Sequence, residues 1–240
     1  MRKITFLLTF VLTLALTLNA NAYNWLKSKS GNGNVTKEIR KVSSFYGVKA
    51  SAGINVYLFQ GDEEKVVVET DENLQDCLIV EVDGNMLKCY IDCSIRNSSK
   101  LNVYVNFKTL NKIRASSGSD IYGETVITAN DLDIDVSSSG DVKIKVDAKS
   151  VNCSASSGAD AIIEGTADHF EGNASSGADI KAEGLVVKTC KASASSGADI
   201  KITVNEKIEA SASSGGDVTY KGSPRVEQIR ESSGGDVRKR

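Results

Sequence analysis

Ser175-Ser176-Gly177-Ala178-Asp179-Ile180-Lys181-Ala182 is followed, twenty residues later, by Ser195-Ser196-Gly197-Ala198-Asp199-Ile200-Lys201-Ile202, and that echo decides the fold. Working outward, seven Ser-Ser-Gly turns end in an aspartate: Asp120, Asp141, Asp160, Asp179, Asp199, Asp217 and Asp236. Their spacings are 21, 19, 19, 20, 18 and 19 residues, and the second copy, Ser138-Ser139-Gly140-Asp141, reads as lacking the residue between Gly and Asp. A period near nineteen is too short for a helical hairpin. It suits one coil of a parallel β-helix carrying two or three short strands.

The flanks of each turn support this. Directly after each Asp stands Ile121, Val142, Ala161, Ile180, Ile200, Val218 or Val237, and the apolar choice recurs two residues on at Ile144, Ile163, Ala182, Ile202 and Tyr220. Lys143, Lys181 and Lys201 fall between, as expected for period-two alternation. Before the turns, sets such as Val151/Cys153/Ala155 and Cys190/Ala192/Ala194 alternate in the same way. Small residues there let the corner tighten, and Gly supplies a positive-φ position. The predicted fold is all-β: a parallel, right-handed β-helix of about seven coils over residues 116–240, preceded by a β-rich part over 43–115. That part is expected to cap or extend the helix. Its strand candidates include Val48–Ala52, Ile54–Phe59, Lys65–Thr70 and Leu101–Phe107, and Asp83-Gly84 marks a hairpin between two further runs. One helical turn fits residues 71–76.

The N-terminus reads as a secretory signal over residues 1–22. Arg2 and Lys3 precede an uncharged apolar run, Ile4 to Leu18, and Ala20-Asn21-Ala22 is a small-x-small cleavage site. A polar stretch to residue 42 follows and reads as a flexible leader. The expected location is outside the cytoplasm, in the periplasm, at the cell surface or extracellular, with no membrane-spanning segment in the mature chain. Cleavage leaves 27 Lys and Arg against 31 Asp and Glu, which argues against nucleic acid as a partner.

Cys77, Cys89, Cys93, Cys153 and Cys190 are odd in number and form no CxxC pair. They read as buried free thiols, with one or two bridges as the alternative. No cofactor is expected. The Asp row (Asp120, Asp141, Asp160, Asp179, Asp199, Asp217, Asp236) reads first as corner caps that hydrogen-bond to backbone. Its sharper reading is a calcium ladder, because carboxylate and carbonyl rows supply the oxygens calcium prefers. Asp131, Asp133 and Asp135 read as a solvated strand face, and His169 as a surface or packing residue. Tyr46, Tyr57, Phe59, Tyr90, Tyr104 and Phe107 read as core or cap, with a sugar-binding platform as the functional alternative.

Ser51-Ala52-Gly53-Ile54-Asn55-Val56, together with the later Ser-x-Gly-x-Asp-hydrophobic turns, resembles the head GIN-domain family of exported "putative autotransporter adhesins" common in Bacteroidetes. The resemblance runs from about Ser43 to the C-terminus. It implies a β-helical fold and a cell-envelope or secreted location, and carries over no catalytic residue. The expected function is therefore a non-enzymatic, adhesin-like envelope protein whose partner is a glycan or another envelope component. The alternatives are a polysaccharide hydrolase or lyase, and a structural element that self-assembles through an open C-terminal coil.

Overall fold

The computed structural model describes residues 28–240; the signal sequence and the start of the leader lie outside them. The chain forms β1 (Lys29–Ser30), β2 (Val35–Arg40), β3 (Gly47–Ala50), β4 (Asn55–Gln60), β5 (Lys65–Asp71), β6 (Leu78–Asp83), β7 (Met86–Ile91), β8 (Ile95–Asn97) and β9 (Leu101–Phe107). There follow β10 (Lys112–Ser116), β11 (Asp120–Ser137), β12 (Asp141–Ser156), β13 (Asp160–Ser175), β14 (Asp179–Ser195), β15 (Asp199–Ser213), β16 (Asp217–Lys221), β17 (Val226–Glu231) and β18 (Asp236–Lys239). From β10 onward every pairing is parallel and between successive coils, the pattern of a β-solenoid of about seven turns.

A full coil is one long bent strand, not two or three short ones. In β12, Val142, Ile144 and Val146 are buried, and then Val151, Cys153 and Ala155 are buried. The inward parity shifts by one between Ala148 and Val151, and this shift marks the bend. Each coil thus has a leading face after the Asp and a trailing face before the next Ser-Ser. The two faces join at the sharp corner and at the far bend, and their inward side chains share one core. Register shifts between Tyr122 and Val126, Ile162 and Gly165, and Ala182 and Val186 place the irregularities away from the corners, toward the far bend. The coil length therefore varies where the ladder tolerates it.

Residues 43–115 are built into the same stack. β4 lies between β9 and β11 on the leading face, and β3 lies between β7 and β10 on the trailing face. With β18 at one end and β2 at the other, the leading face has eleven layers. At about 4.8 Å per layer it extends roughly 48 Å. β5 and β2 close this face with antiparallel strands, and β6 closes the trailing face in the same way through the two-residue Gly84-Asn85 hairpin. The expected helical turn is a short 3₁₀ segment, Glu72–Leu74.

Two readings of the sequence are corrected here. Residues 29–40, taken as flexible leader, carry β1, paired with β8, and β2, paired with β5. What fastens this polar stretch is Asp71, fully buried, whose carboxylate accepts the amides of Gly33 and Ser99 at 2.7 Å each and the Ser99 hydroxyl at 2.9 Å. Such a buried acceptor has no hydropathy signature. Among the cysteines, Cys77 and Cys93 form a disulfide that ties the 3₁₀ turn to the loop between β7 and β8. Cys89, Cys153 and Cys190 are free and buried, and burial pushes the thiols of Cys89 and Cys190 up to about 12. Native protein should accordingly leave these three thiols unmodified by an aromatic disulfide reagent at pH 8, whereas denatured, unreduced protein should titrate all three.

Candidate functional site

Each corner has two consecutive residues at positive φ: Ser157 at 57° and Gly158 at 66°, Ser176 at 54° and Gly177 at 69°, and so on to Ser233 and Gly234. At six of the seven Ser-Ser corners the turn closes with a bond back three positions, as in Ala178 N to Ser175 O (3.3 Å) and Gly235 N to Ser232 O (2.9 Å). Positive φ at both central positions with this bond is the signature of a type I′ turn. The remaining corner groups bond between coils. Gly158 N donates to Ser176 O and Asp179 N donates to Ala159 O, and equivalent bonds repeat along the edge.

The second corner is full length. Ser139, at φ 57°, occupies the place that Gly holds elsewhere, and Gly140 takes the buried position before Asp141. There is also an earlier corner. Ala52 (φ 68°) and Gly53 (φ 74°) repeat the backbone angles of the turn, Gly53 N bonds Ser117 O, Ile54 N donates to the Ser119 hydroxyl (3.2 Å), and Asn55 stacks on Asp120. Ser51-Ala52-Gly53-Ile54-Asn55 is thus an eighth copy with Asn in place of Asp, separated from the next by an excursion of the chain through β5 to β10. Below it, Asn102-Val103-Tyr104 stacks residue for residue on Asn55-Val56-Tyr57.

The aspartates consequently form one outward column: Asn102, Asn55, Asp120, Asp141, Asp160, Asp179, Asp199, Asp217 and Asp236. They do not act as backbone caps, since the ladder already satisfies the corners; only Asp141 makes such a bond, to Asp160 N at 3.3 Å. The carboxylates turn instead to outward side chains. Lys181 bridges Asp160 (2.7 Å) and Asp179 (3.4 Å), Arg238 pairs with Asp217 (2.9 Å) and Asp236, and the Tyr122 hydroxyl donates to Asp120 (3.1 Å). Partial burial, with the charges of Asp179 and Asp217 on either side, raises the carboxyl of Asp199; burial and Asp120 do the same for Asp141. Among the described residues no three His, Cys, Asp or Glu side chains converge as a metal ion would require.

Two residues beyond the Asp column, Tyr104, Tyr57 and Tyr122 stack on one another, with centroids 5.1 and 5.4 Å apart and planes within 22°. Lys37 Nζ lies 5.0 Å over Tyr104. Tyr57 has a ring against each face, and one face of Tyr104 meets a cation, so the stack offers a flat ligand little more than ring edges. Beside it Glu69, 6% exposed, accepts from Tyr104 Oη (2.7 Å), Asn102 Nδ2 (3.1 Å) and Lys100 Nζ (3.2 Å), with Lys37 at 3.5 Å. Burial alone would raise this carboxyl. The hydrogen bonds and the lysines override it and hold the carboxyl down to about 2. A folded value below the ordinary one gives stability that is complete above about pH 4.5 and lost as the pH falls through about 2. Acid unfolding should therefore steepen in that window, and Glu69→Gln should flatten it while costing about 2 kcal/mol at pH 7, measured by urea titration.

The other aromatic candidates disperse. Phe107 is in the core, Tyr90 bonds Glu81 in the β6–β7 cap, and Tyr46 is exposed near the far bend. Tyr122 belongs to the aromatic stack and was not among the candidates; only its position two residues after a corner Asp marks it. Asp133 and Asp135 face Lys112 and Arg114, and His169 Nδ1 lies 2.7 Å from the Thr189 hydroxyl on the trailing surface.

These features define a class: a rigid parallel β-solenoid with a ladder of turn corners, a polar column and an aromatic stack on one face. The chain belongs to the family described as "Putative auto-transporter adhesin, head GIN domain", which matches residues 44–224. The triplet Gly53-Ile54-Asn55 is thereby placed structurally, as the first corner of the ladder. The fold is shared with crystal structures of a "putative adhesin" from Bacteroides fragilis (TM-score 0.83, 24% identity, 89% of this chain and 100% of that one) and another from Parabacteroides merdae (0.74, 18%, 89% and 99%). It is also shared with a "putative lipid binding protein" from Parabacteroides distasonis (0.66, 22%, 88% and 100%). No curated protein matches the chain.

Proposed function

We propose that this chain is an exported, non-enzymatic, adhesin-like protein that presents a rigid side-chain lattice to a repetitive envelope ligand, a glycan foremost. The observation that carries this reading is the register. Outward residues recur once per coil in straight columns, so any group that binds one coil meets similar groups at the next, about 4.8 Å away. Membership of an adhesin family supports the same reading, and among the described residues no helix is long and apolar enough to cross a membrane.

The self-assembly alternative meets a physical obstacle at the C-terminal end. There Glu227 and Glu231 stand in register with the buried Ile208 and Ala212, on either side of Ile229 in register with Ala210, so β17 alternates two carboxylates with one apolar side chain where a further coil would need an unbroken apolar row. Inward charges of this kind block edge-to-edge addition. Mature protein applied to an array of envelope polysaccharides should bind at least one class and release no new reducing ends. Absence of binding across the array, or release of reducing ends, would overturn the reading.

A further inference from the structure

The far bend, opposite the Ser-Ser-Gly corners, carries a shallow trough parallel to the solenoid axis. Its floor is a column of small residues in register, Ala129, Ala148 and Ala167, continued by Val187. The column arises because the in–out alternation changes phase at the bend: Ala129 and Ala148 are partly buried there, and the floor sinks into the core at Ala167 and Val187. One wall is the column Thr128, Asp147, Thr166 and Val186; the other begins at Asp131, Ser150 and His169. Two depressions lie end to end along this line. One is bounded by Tyr46, Asn111, Thr128 and Asp131, the other by Asp147, Thr166, Asp168 and Asn205. At the N-terminal end Tyr46 is 47% exposed and takes no part in the tyrosine stack.

We infer that this trough is the ligand site of the proposed adhesin and that it holds an extended, uncharged polysaccharide strand laid along the axis. The inference rests on the glycan reading above and adds where the chain lies and which chemical class it belongs to. Both depressions are open at the surface and adjoin each other, which suits a polymer passing through better than an enclosed small molecule. Hydroxyl and carboxylate groups of Thr128, Asp147 and Thr166 line the wall over three successive coils, up to Val186, and match a ligand bearing hydroxyls at a similar repeat. An exposed aromatic ring at one end gives the apolar face of a pyranose a surface to pack on.

Charge selects the class. Asp168 is neutralised by Lys188 at 2.6 Å and lies in the field of Lys149 as well, so both trough lysines are turned to that one carboxylate; neither Asp131 nor Asp147 forms an ion pair with a described residue. Asp147 accepts only the Thr166 hydroxyl, at 3.0 Å. A polyanion, whether a uronate polymer or a phosphate-linked one, would meet these carboxylates unfavourably.

The test is affinity electrophoresis and calorimetry of the mature protein with soluble β-1,3-glucan, mannan, chitohexaose and, as the anionic arm, polygalacturonate. Tyr46→Ala, which removes the ring, and Ala148→Arg, which fills the floor, should each weaken binding of a neutral polymer by about tenfold or more. Lys201→Ala, on the leading face, should leave it unchanged, and thermal melts of all three establish that they are folded. Binding of a neutral polymer that neither trough variant weakens would overturn the trough assignment while leaving the glycan reading in place. Binding of polygalacturonate alone would overturn the uncharged class. Failure of the wild-type protein to bind any of these or the wider array would overturn both.

Discussion

Gly165→Ala is expected to destabilise the protein by about 4 kcal/mol or more, with a loss of about 10 °C in Tm. Gly165 has φ 110°, and a Cβ built there would lie 2.0 Å from the carbonyl oxygen of Val146 and 3.0 Å from its carbon and nitrogen. Val146 is the register partner of Gly165 in the preceding coil. The obstructing atoms are therefore backbone atoms already committed to the ladder, and they cannot retreat without breaking inter-coil bonds. A corner glycine provides the contrast. Gly177 has φ 69°, but a Cβ added there would meet no atom within 4 Å, and Ser139 already holds the equivalent place at φ 57°. Gly177→Ser should cost only about 1 kcal/mol, the penalty of a left-handed backbone. Urea titrations of the two variants, with m unchanged, check the difference.

The second large effect lies in the core between coils. Phe170 is 2% exposed and shares its column with Val151, Cys190 and Ile208, all smaller. Space for its ring comes from Gly172, two residues on, where a Cβ would meet the ring at 2.6 Å. The two positions are volume-matched within one coil. Phe170→Ala should cost about 3–5 kcal/mol by leaving a cavity that rigid layers above and below cannot collapse into. Gly172→Ala alone should cost about 1–3 kcal/mol through overpacking. The double change Phe170→Leu with Gly172→Ala should cost less than the sum of its single changes by about 1 kcal/mol or more, as coupled neighbours do. Strict additivity in that cycle would show that the two sites do not share volume.

Much of this architecture is legible in the repeat itself, because a solenoid writes each layer in consecutive residues. The Asp-hydrophobic-x-hydrophobic pattern fixed the leading face, and the oppositely phased Val151/Cys153/Ala155 pattern fixed the trailing face. What escaped the reading was non-local. The corner at Ser51–Asn55 is separated from its neighbour by an excursion through the capping strands, so no fixed period connects the two, although Asn55-Val56-Tyr57 and Asn102-Val103-Tyr104 carry the same three residues. The Cys77–Cys93 bridge and the Asp71 lock depend on loops meeting in space, which alternation does not encode. The trough was equally hidden. It forms where the inward parity shifts, and its floor alanines look like ordinary core residues until the bend is located. The aspartates were found but misassigned, because a lone turn needs a side-chain cap whereas a stacked turn is satisfied by the next coil.

The central claim is that all eight corners, from Ser51–Asn55 to the last Ser-Ser-Gly-Gly-Asp, lie in register along one edge. Spin labels at Ala52→Cys and Ser233→Cys, both on exposed corner residues, test it directly by pulsed electron resonance, since the three native free thiols are buried. Seven layer steps separate the two sites, so a narrow distribution centred at about 34 Å is expected. A broad distribution, or a centre displaced by more than about two layer spacings, would place the first corner off the ladder and contradict the account.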